Sequence, residues 1–170
     1  MVKVQSLSPG DVLSFLADDN KYKAMICTSV HNNRSPQYCT FAATTYSSYN
    51  KPSLVDILHS DFYGVGNTKS EYFAYSESEL ENMWTVHPEV KPYFLGSYPF
   101  IIWKKDLRKF QINLELVGNL NIVRNVHLHG NSGVNASSWD FLRQFFTDTK
   151  LNTLLERGQR TYRLRSILIK

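Results

Sequence analysis

Three apolar runs separated by turn residues decide the fold of this 170-residue chain, and they lie within residues 10–46, GDVLSFLADDNKYKAMICTSVHNNRSPQYCTFAATTY. Glycine, proline, aspartate and asparagine precede and separate the runs, as expected of turns between strands. The connections are too short for a parallel crossover, which needs about a dozen residues or more. The stretch therefore predicts three consecutive antiparallel strands, near residues 12–16, 23–30 and 38–44.

Beyond residue 46 the pattern alternates between strand and helix signals. Three serine caps precede apolar faces of helical spacing and predict helices at 53–59, 76–86 and 138–156, the last of them in two pieces. Asp56 and Glu79 follow the first two caps by three residues, the spacing of a capping box. Further strands are predicted at 100–103, 111–117, 120–128 and 162–169. We expect one mainly β domain over residues 1–170, a small antiparallel β-barrel with inserted and C-terminal helices. Its barrel core would span about 8–130, with a helical insertion at 50–95 and a helical, basic extension at 137–170.

The net charge of +4 is unevenly distributed along the chain. Residues 141–170 hold seven lysines and arginines against two acidic residues, whereas the first 140 residues hold twelve basic and thirteen acidic side chains. A basic C-terminal segment beside a near-neutral body indicates an anionic partner, most commonly nucleic acid. A solvated basic face is the alternative explanation.

Composition also limits the function classes. No apolar run approaches the roughly 18 residues of a membrane span, and the N-terminus does not resemble a secretory signal, so we expect a cytoplasmic protein without membrane contact. Cys27 and Cys39 lie in strand-like runs and are expected to be buried thiols, with a cross-strand disulfide as the minority alternative. Zinc spacing and nucleotide-binding glycine motifs are missing from the sequence, so no metal and no cofactor are predicted.

Residues 9–47 resemble the MazF/PemK/Kid family of ribonuclease toxins. The features that carry the resemblance are a Gly10-Asp11-Val12 opening, a second strand preceded by basic residues, and a third strand that ends in hydroxyl side chains. A weaker echo lies at 119–125, where Arg124 follows two apolar residues. The chain departs from the family pattern by having lysines where arginine is usual, by Ile122 in place of a glutamine, and by its greater length.

The resemblance implies a metal-independent endoribonuclease of toxin–antitoxin type that acts on single-stranded RNA. It would be a homodimer and would be neutralised by a small acidic antitoxin. Lys23 would stabilise the charge on phosphorus, while Thr44 and Thr45 would donate hydrogen bonds to the scissile phosphate. An ammonium group lacks the two-pronged geometry with which guanidinium holds a phosphate, so the substitution by lysine bears on activity. The remaining candidate RNA contacts are Lys21, Ser47, Tyr46, Arg34 and Arg124.

Other interpretations stay open at this point. Lys21 and Lys23 could instead be solvated charges at the edge of a strand. Thr44 and Thr45 could be present only because threonine favours β structure. His127 and His129 share one face of a predicted strand, which is more often a wet face than a ligand site. His31 reaches the Lys23 end only if the following loop folds back. Tyr46 and Tyr49 follow the threonine pair and are candidate platforms for base stacking. The second function class is a non-catalytic interaction module of immunity or adaptor type, with its helices as the partner surface.

Overall fold

The structure is a computed structural model, and it describes residues 2–64, 100–122, 135–156 and 160–168. The described chain contains seven strands, four α-helices and three short 3₁₀ turns, the turns being Val4–Ser6, Gln111–Asn113 and Leu164–Ile167. In chain order the other elements are β1 (Asp11–Leu16), β2 (Tyr22–His31), β3 (Tyr38–Ala43), α1 (Leu54–Leu58), β4 (Asp61–Gly64), β5 (Phe100–Trp103), α2 (Lys104–Phe110), β6 (Glu115–Asn119), α3 (Trp139–Phe145), α4 (Asp148–Glu156) and β7 (Arg160–Arg163).

Five strands form one antiparallel sheet in the order β5-β3-β2-β1-β6, and β4 pairs with β7 in a separate antiparallel ribbon. The three strands predicted within residues 10–46 are confirmed and occupy the centre of the sheet. Within the part of the chain that the structure describes, β5 and β6 are the sheet edges and the sheet is not closed. The mainly β class is therefore confirmed, while closure into a barrel stays a prediction.

The central strands are buried on both faces. One face contributes residues such as Leu13, Met25 and Phe41 to a core that α2 and α3 cover with Leu107 and Leu142. The other face packs under α1, β4 and the last 3₁₀ turn; its core includes Val12, Ala24, Ile26, Ala42, Ile57, Phe62 and Leu164. Burial on both faces explains why β2 reads as a continuous apolar run.

The segment at 111–117 differs from the prediction of a single strand. Helix α2, absent from the prediction, ends at Phe110 and is followed directly by a 3₁₀ turn, so β6 begins only at Glu115. Ile112 is 77% exposed and Leu116 is 50% exposed, although their alternation with polar residues indicated a buried face. Leu107 and Phe110, which lie three residues apart and are buried in the core, favour a helix before the strand.

Two of the three predicted helices are confirmed where the structure describes them. Ser53 and Asp56 form the reciprocal capping box of α1, and Ser138 accepts from the backbone of Phe141 at the start of α3. The two helical pieces predicted within 138–156 are α3 and α4. The predicted helix at 76–86 and most of the predicted strand at 120–128 lie outside the described residues. The predicted strand at 162–169 is shorter and earlier, because β7 ends at Arg163 and a 3₁₀ turn follows.

Two further expectations concern the thiols and the membrane. Cys27 and Cys39 are buried and unbridged, as predicted. Among the described helices, none has the length and apolar character needed to cross a bilayer.

Candidate anion-binding site

A cluster of charged side chains forms where the β1–β2 turn meets the start of β2. Lys21 lies directly before this strand, and Lys23 is its second residue, opposite Phe15 of β1. Lys23 therefore shares a strand face with Met25 and is placed at the rim of the core that α3 covers. Its side chain is 0% exposed. A fully buried ammonium requires partners for its charge and for its protons.

The partners of Lys23 come from three separate parts of the chain. Its Nζ donates to Ser47 Oγ at 2.9 Å, lies 3.1 Å from Asp19 Oδ2, and pairs with Asp148 Oδ1. All three ammonium protons thus have an acceptor. The charge of Lys23 is neutralised inside the cluster, which explains how it is tolerated at a fully buried position.

Asp148 is the point on which the cluster converges. Lys21 Nζ donates to its Oδ2 at 2.8 Å, and Ser47 Oγ donates to its Oδ1 at 2.8 Å, beside the contact from Lys23. One carboxylate therefore receives two ammonium groups and one hydroxyl. We call Lys21, Lys23 and Ser47 the anion site, and Asp148 its occupant.

Helices α3 and α4 bring Asp148 to the anion site. Asp148 is the first residue of α4, and its N–H donates to Asp19 Oδ2 at 3.0 Å. Arg143 of α3 is 3.3 Å from the Asp18 carboxylate, and its carbonyl accepts from the Asp18 N–H at 3.2 Å. Phe146, buried between the two helices, meets Phe15 edge to face at 4.9 Å between ring centres. The C-terminal helices are thus held against the β1–β2 turn by both polar and apolar contacts.

The electrostatics of the cluster follow from these contacts. Partial burial acts to raise the pKa of Asp148, but hydrogen bonds from Lys21, Lys23 and Ser47 outweigh it and hold that pKa far below its ordinary value. The pKa of Asp19 is lowered in the same way, with burial opposed by the Asp148 N–H and by Lys23. The hydrogen bond to Asp148 raises the pKa of Lys21. Both carboxylates and Lys21 are therefore charged at neutral pH.

An exposed aromatic ring lies next to the anion site. Tyr49 is 74% exposed, and Lys21 Nζ is 5.7 Å from its ring centre, a cation–π distance. Tyr46, the other aromatic candidate, is partly buried against the second core and donates its hydroxyl to the Asn50 carbonyl at 2.7 Å. Tyr49 is the ring that a base could reach.

The threonine pair lies at the end of β3 and is engaged by the backbone. Thr44 is buried, and its hydroxyl donates to the Ala24 carbonyl at 2.9 Å. The Thr45 hydroxyl donates to the Asp61 carbonyl at 3.3 Å and accepts the Asp61 N–H at 2.9 Å. In this structure both hydroxyl protons tie neighbouring strands together, whereas the resemblance assigned them to the scissile phosphate.

Arg34 and His31 lie at the far end of β2, away from the anion site. Arg34 is exposed in the turn after β2. Because β2 is extended from residue 22 to residue 31, His31 lies at its far end, roughly 26 Å along the strand from Lys23 at about 3.3 Å per residue. The loop therefore does not bring His31 back to the lysines. Arg124, His127 and His129 lie outside the described residues.

The far end of β2 holds a chain of hydrogen bonds between neutral groups. Thr28 Oγ1 is 2.7 Å from Thr40 Oγ1, Thr40 also contacts Ser29 Oγ, and Ser29 Oγ is 2.9 Å from His31 Nε2. The His31 ring stacks on Tyr38 at 4.4 Å between ring centres. Burial, and secondarily the charge of Arg34, lowers the pKa of His31, so its imidazole is neutral at pH 7. A pocket of about 540 Å³ opens beside it, lined by residues 30–34.

Sequence reasoning missed the acidic partners, Asp19 and Asp148. Asp148 follows Lys23 by 125 residues, and no local pattern links the two positions. The pairing of Ser29 with His31 had a local signal, because two residues that are two apart on a strand share a face. Within the described residues, no group of three or more potential ligands is placed to hold a metal ion.

Comparisons of the chain with protein-family models, with curated proteins and with solved structures give no match.

Proposed function

We propose that this protein acts on single-stranded RNA, as a metal-independent endoribonuclease of the MazF/PemK-like toxin type. One observation carries the proposal: Lys21, Lys23 and Ser47 all donate to a single oxyanion, the carboxylate of Asp148. These are three of the residues that the resemblance assigns to RNA. A phosphodiester oxygen has the same charge and accepts the same hydrogen bonds as a carboxylate oxygen.

The exposed ring of Tyr49 extends this site in a manner suited to single strands. Proteins that bind single-stranded nucleic acid combine cations along the backbone with aromatic rings on which bases stack. Tyr49 is placed 5.7 Å from Lys21 Nζ, so a phosphate at the lysines would leave a neighbouring base within reach of the ring.

The chemistry would be attack of a ribose 2′ oxygen on phosphorus as its proton passes to water, with formation of a 2′,3′-cyclic phosphate and departure of the 5′ oxygen, which takes up a proton from water. The lysines would stabilise the charge that develops on the phosphorus oxygens. The carboxylates in contact with Lys23 are weak bases, because their pKa values are lowered. The site therefore contributes charge stabilisation more than proton transfer, and we expect slow cleavage.

The partners follow from the same proposal. A toxin of this type would work in the cytoplasm as a homodimer and would be neutralised by a small acidic antitoxin protein. Acidic side chains of such a protein would compete with RNA for Lys21 and Lys23, just as Asp148 contacts them within the chain.

A second candidate is the non-catalytic interaction module. The observation that favours it is the full engagement of Lys23, whose three protons are all used within the chain, together with the backbone bonds of Thr44 and Thr45. An interaction module would retain this cluster purely for stability.

Incubation of the purified protein with a long single-stranded RNA in EDTA, followed by mapping of the new ends, tests the proposal. We expect specific cuts that leave a cyclic phosphate and that disappear in Lys23→Gln. The matched control is Lys51→Gln, which removes the same charge from an exposed residue paired with Glu115. Absence of both cleavage and RNA binding from a folded protein would overturn the proposal in favour of the interaction module.

A further inference from the structure

The Asp148 carboxylate occupies the position in which the anion site would hold an RNA phosphate. It accepts from Lys21 and Ser47 at 2.8 Å each, and it also pairs with Lys23. An oxygen of a phosphodiester would need the same three donors. The single hydroxyl proton of Ser47 and the outward-facing contact of Lys23 are already directed at Asp148, and a second negative charge beside that carboxylate is repelled.

We propose that Asp148 is a built-in competitor of RNA, so that the C-terminal helices hold the anion site closed until a nucleic-acid phosphate displaces this one carboxylate. The inference rests on the proposed RNA function and adds its regulation. It assigns to residues 139–156 a role in controlling access, in addition to covering the core.

We infer from the packing that RNA would displace only the Asp148 side chain and would leave α3 and α4 in place. Leu142 and Phe146 are buried in the core, and Leu151 of α4 is nearly so, which makes departure of the whole helical segment costly. The Asp148 side chain, in contrast, is 42% exposed while Lys23 beneath it is 0% exposed. Rotation of one carboxylate into solvent uncovers the ammonium, and Asp19 remains in place to neutralise part of its charge.

Displacement must come from a competing anion and cannot come from a pH change within the physiological range. The groups that face Asp148 are Lys21 and Lys23 from the start of β2, Ser47 from the segment after β3, Asp19 from the turn, and the phenol of Tyr63 from β4. The two cations keep the carboxylate ionised well below neutral pH. A polyanion, which presents many phosphates at high local concentration, is the kind of ligand that can compete.

Fluorescence anisotropy with a labelled single-stranded oligouridylate tests the inference on the full-length chain. Asp148→Asn should bind the RNA roughly tenfold more tightly than the wild type, the size of a typical coupling between two ligands for one site. The matched control is Asp140→Asn, which makes the same charge change at an exposed position on α3. Asp140→Asn should stay within about twofold of the wild type, the residual long-range effect of one charge.

The outcomes distinguish failure of this inference from failure of the proposed RNA function. If the wild type binds RNA and the two asparagine variants bind it equally, Asp148 is not a competitor, although the RNA function stands. If no variant binds or cleaves RNA, the proposed function fails and the inference fails with it. Should Asp148→Asn not fold, the wild type decides: the carboxyl ¹³C resonance of Asp148 must shift as RNA saturates the protein. A stationary resonance at saturation would overturn the inference.

Discussion

The two ends of strand β2 solve the same problem, a polar group in a buried place, with opposite chemistry. At its start, Lys23 is buried with full charge and is neutralised by Asp19 and Asp148. At its far end, Thr28, Thr40 and Ser29 form a chain of hydroxyls that ends at a neutral His31. The charged end depends on a residue from the C-terminal helices, whereas the neutral end depends only on two neighbouring strands.

The difference between the charged and the neutral end of β2 indicates which end can respond to a ligand. A hydroxyl chain within one sheet is complete in itself, because donors and acceptors match between neighbouring strands. In an ion cluster assembled from distant segments, an incoming anion can compete with Asp148 for the two lysines. The charged end is therefore where we place binding and its control, and the neutral end is where we place local rigidity.

The largest expected effect is a loss of stability caused by a substitution at the charged end of β2. Lys23→Met removes the buried ammonium and leaves Asp19 and Asp148 facing each other. We expect a loss of about 2 kcal/mol in the free energy of unfolding, less than the roughly 3–5 kcal/mol of a fully buried pair, because Asp148 can regain water. Denaturant unfolding measures it. Lys21→Met is the control and should cost much less than Lys23→Met, because solvent screens its ion pair; equal costs would show that burial of Lys23 does not matter.

A smaller effect is expected at the neutral end. Thr40→Val keeps the shape of a fully buried side chain but removes the hydroxyl that joins Thr28 to Ser29. The expected cost is about 1 kcal/mol, since Ser29 retains His31 as a partner. Thr153→Val, whose hydroxyl donates to a carbonyl within its own helix, is the control and should change stability by less than about 0.5 kcal/mol. A neutral result at Thr40 would mean that the hydroxyl chain contributes no stability.

The smallest effects distinguish the two ends by pH. The pKa of His31 is lowered in the folded state from its ordinary 6.5, so the unfolded chain takes up its proton first and stability falls as the pH drops below 6.5. The pKa of Asp148 is lowered from 3.8, so the stability it contributes is present above 3.8 and is lost as the pH falls below that value. Unfolding free energies of wild type, His31→Gln and Asp148→Asn across pH 2 to 8 measure both steps.

Each substitution should remove one of the two pH-dependent changes in the free energy of unfolding and leave the other. His31→Gln should flatten the fall in stability just below pH 6.5, and Asp148→Asn should flatten the fall below pH 3.8. If both variants followed the wild type at every pH, neither group would be linked to folding.

The sequence predicted the sheet well, because its signals are local. Apolar runs between turn residues define β1, β2 and β3, and the Ser53–Asp56 capping box defines the start of α1 within four residues. The prediction failed at Ile112, where an alternating pattern continued into a turn whose conformation is decided by the packing of Leu107 and Phe110. Local pattern cannot weigh such tertiary contacts.

The candidate site was only half predictable for a similar reason. Lys21, Lys23 and Ser47 were predicted from the resemblance of residues 9–47 to a toxin family, and the structure brings all three together. Asp148 was not found, because a contact across 125 residues leaves no trace in one sequence. Thr44 and Thr45 were found as hydroxyls, but only the structure shows their protons bonded to backbone carbonyls.

The most direct test of the account is a double-mutant cycle on RNA affinity between Asp148→Asn and Lys21→Gln. Lys21 is partly exposed, so its replacement should leave the fold intact. If Asp148 and RNA compete for the same cation, Lys21→Gln should change RNA affinity by less than about twofold in the wild type and weaken it roughly tenfold in Asp148→Asn. Equal losses in the two backgrounds would contradict the claim that Asp148 holds the place of the RNA phosphate.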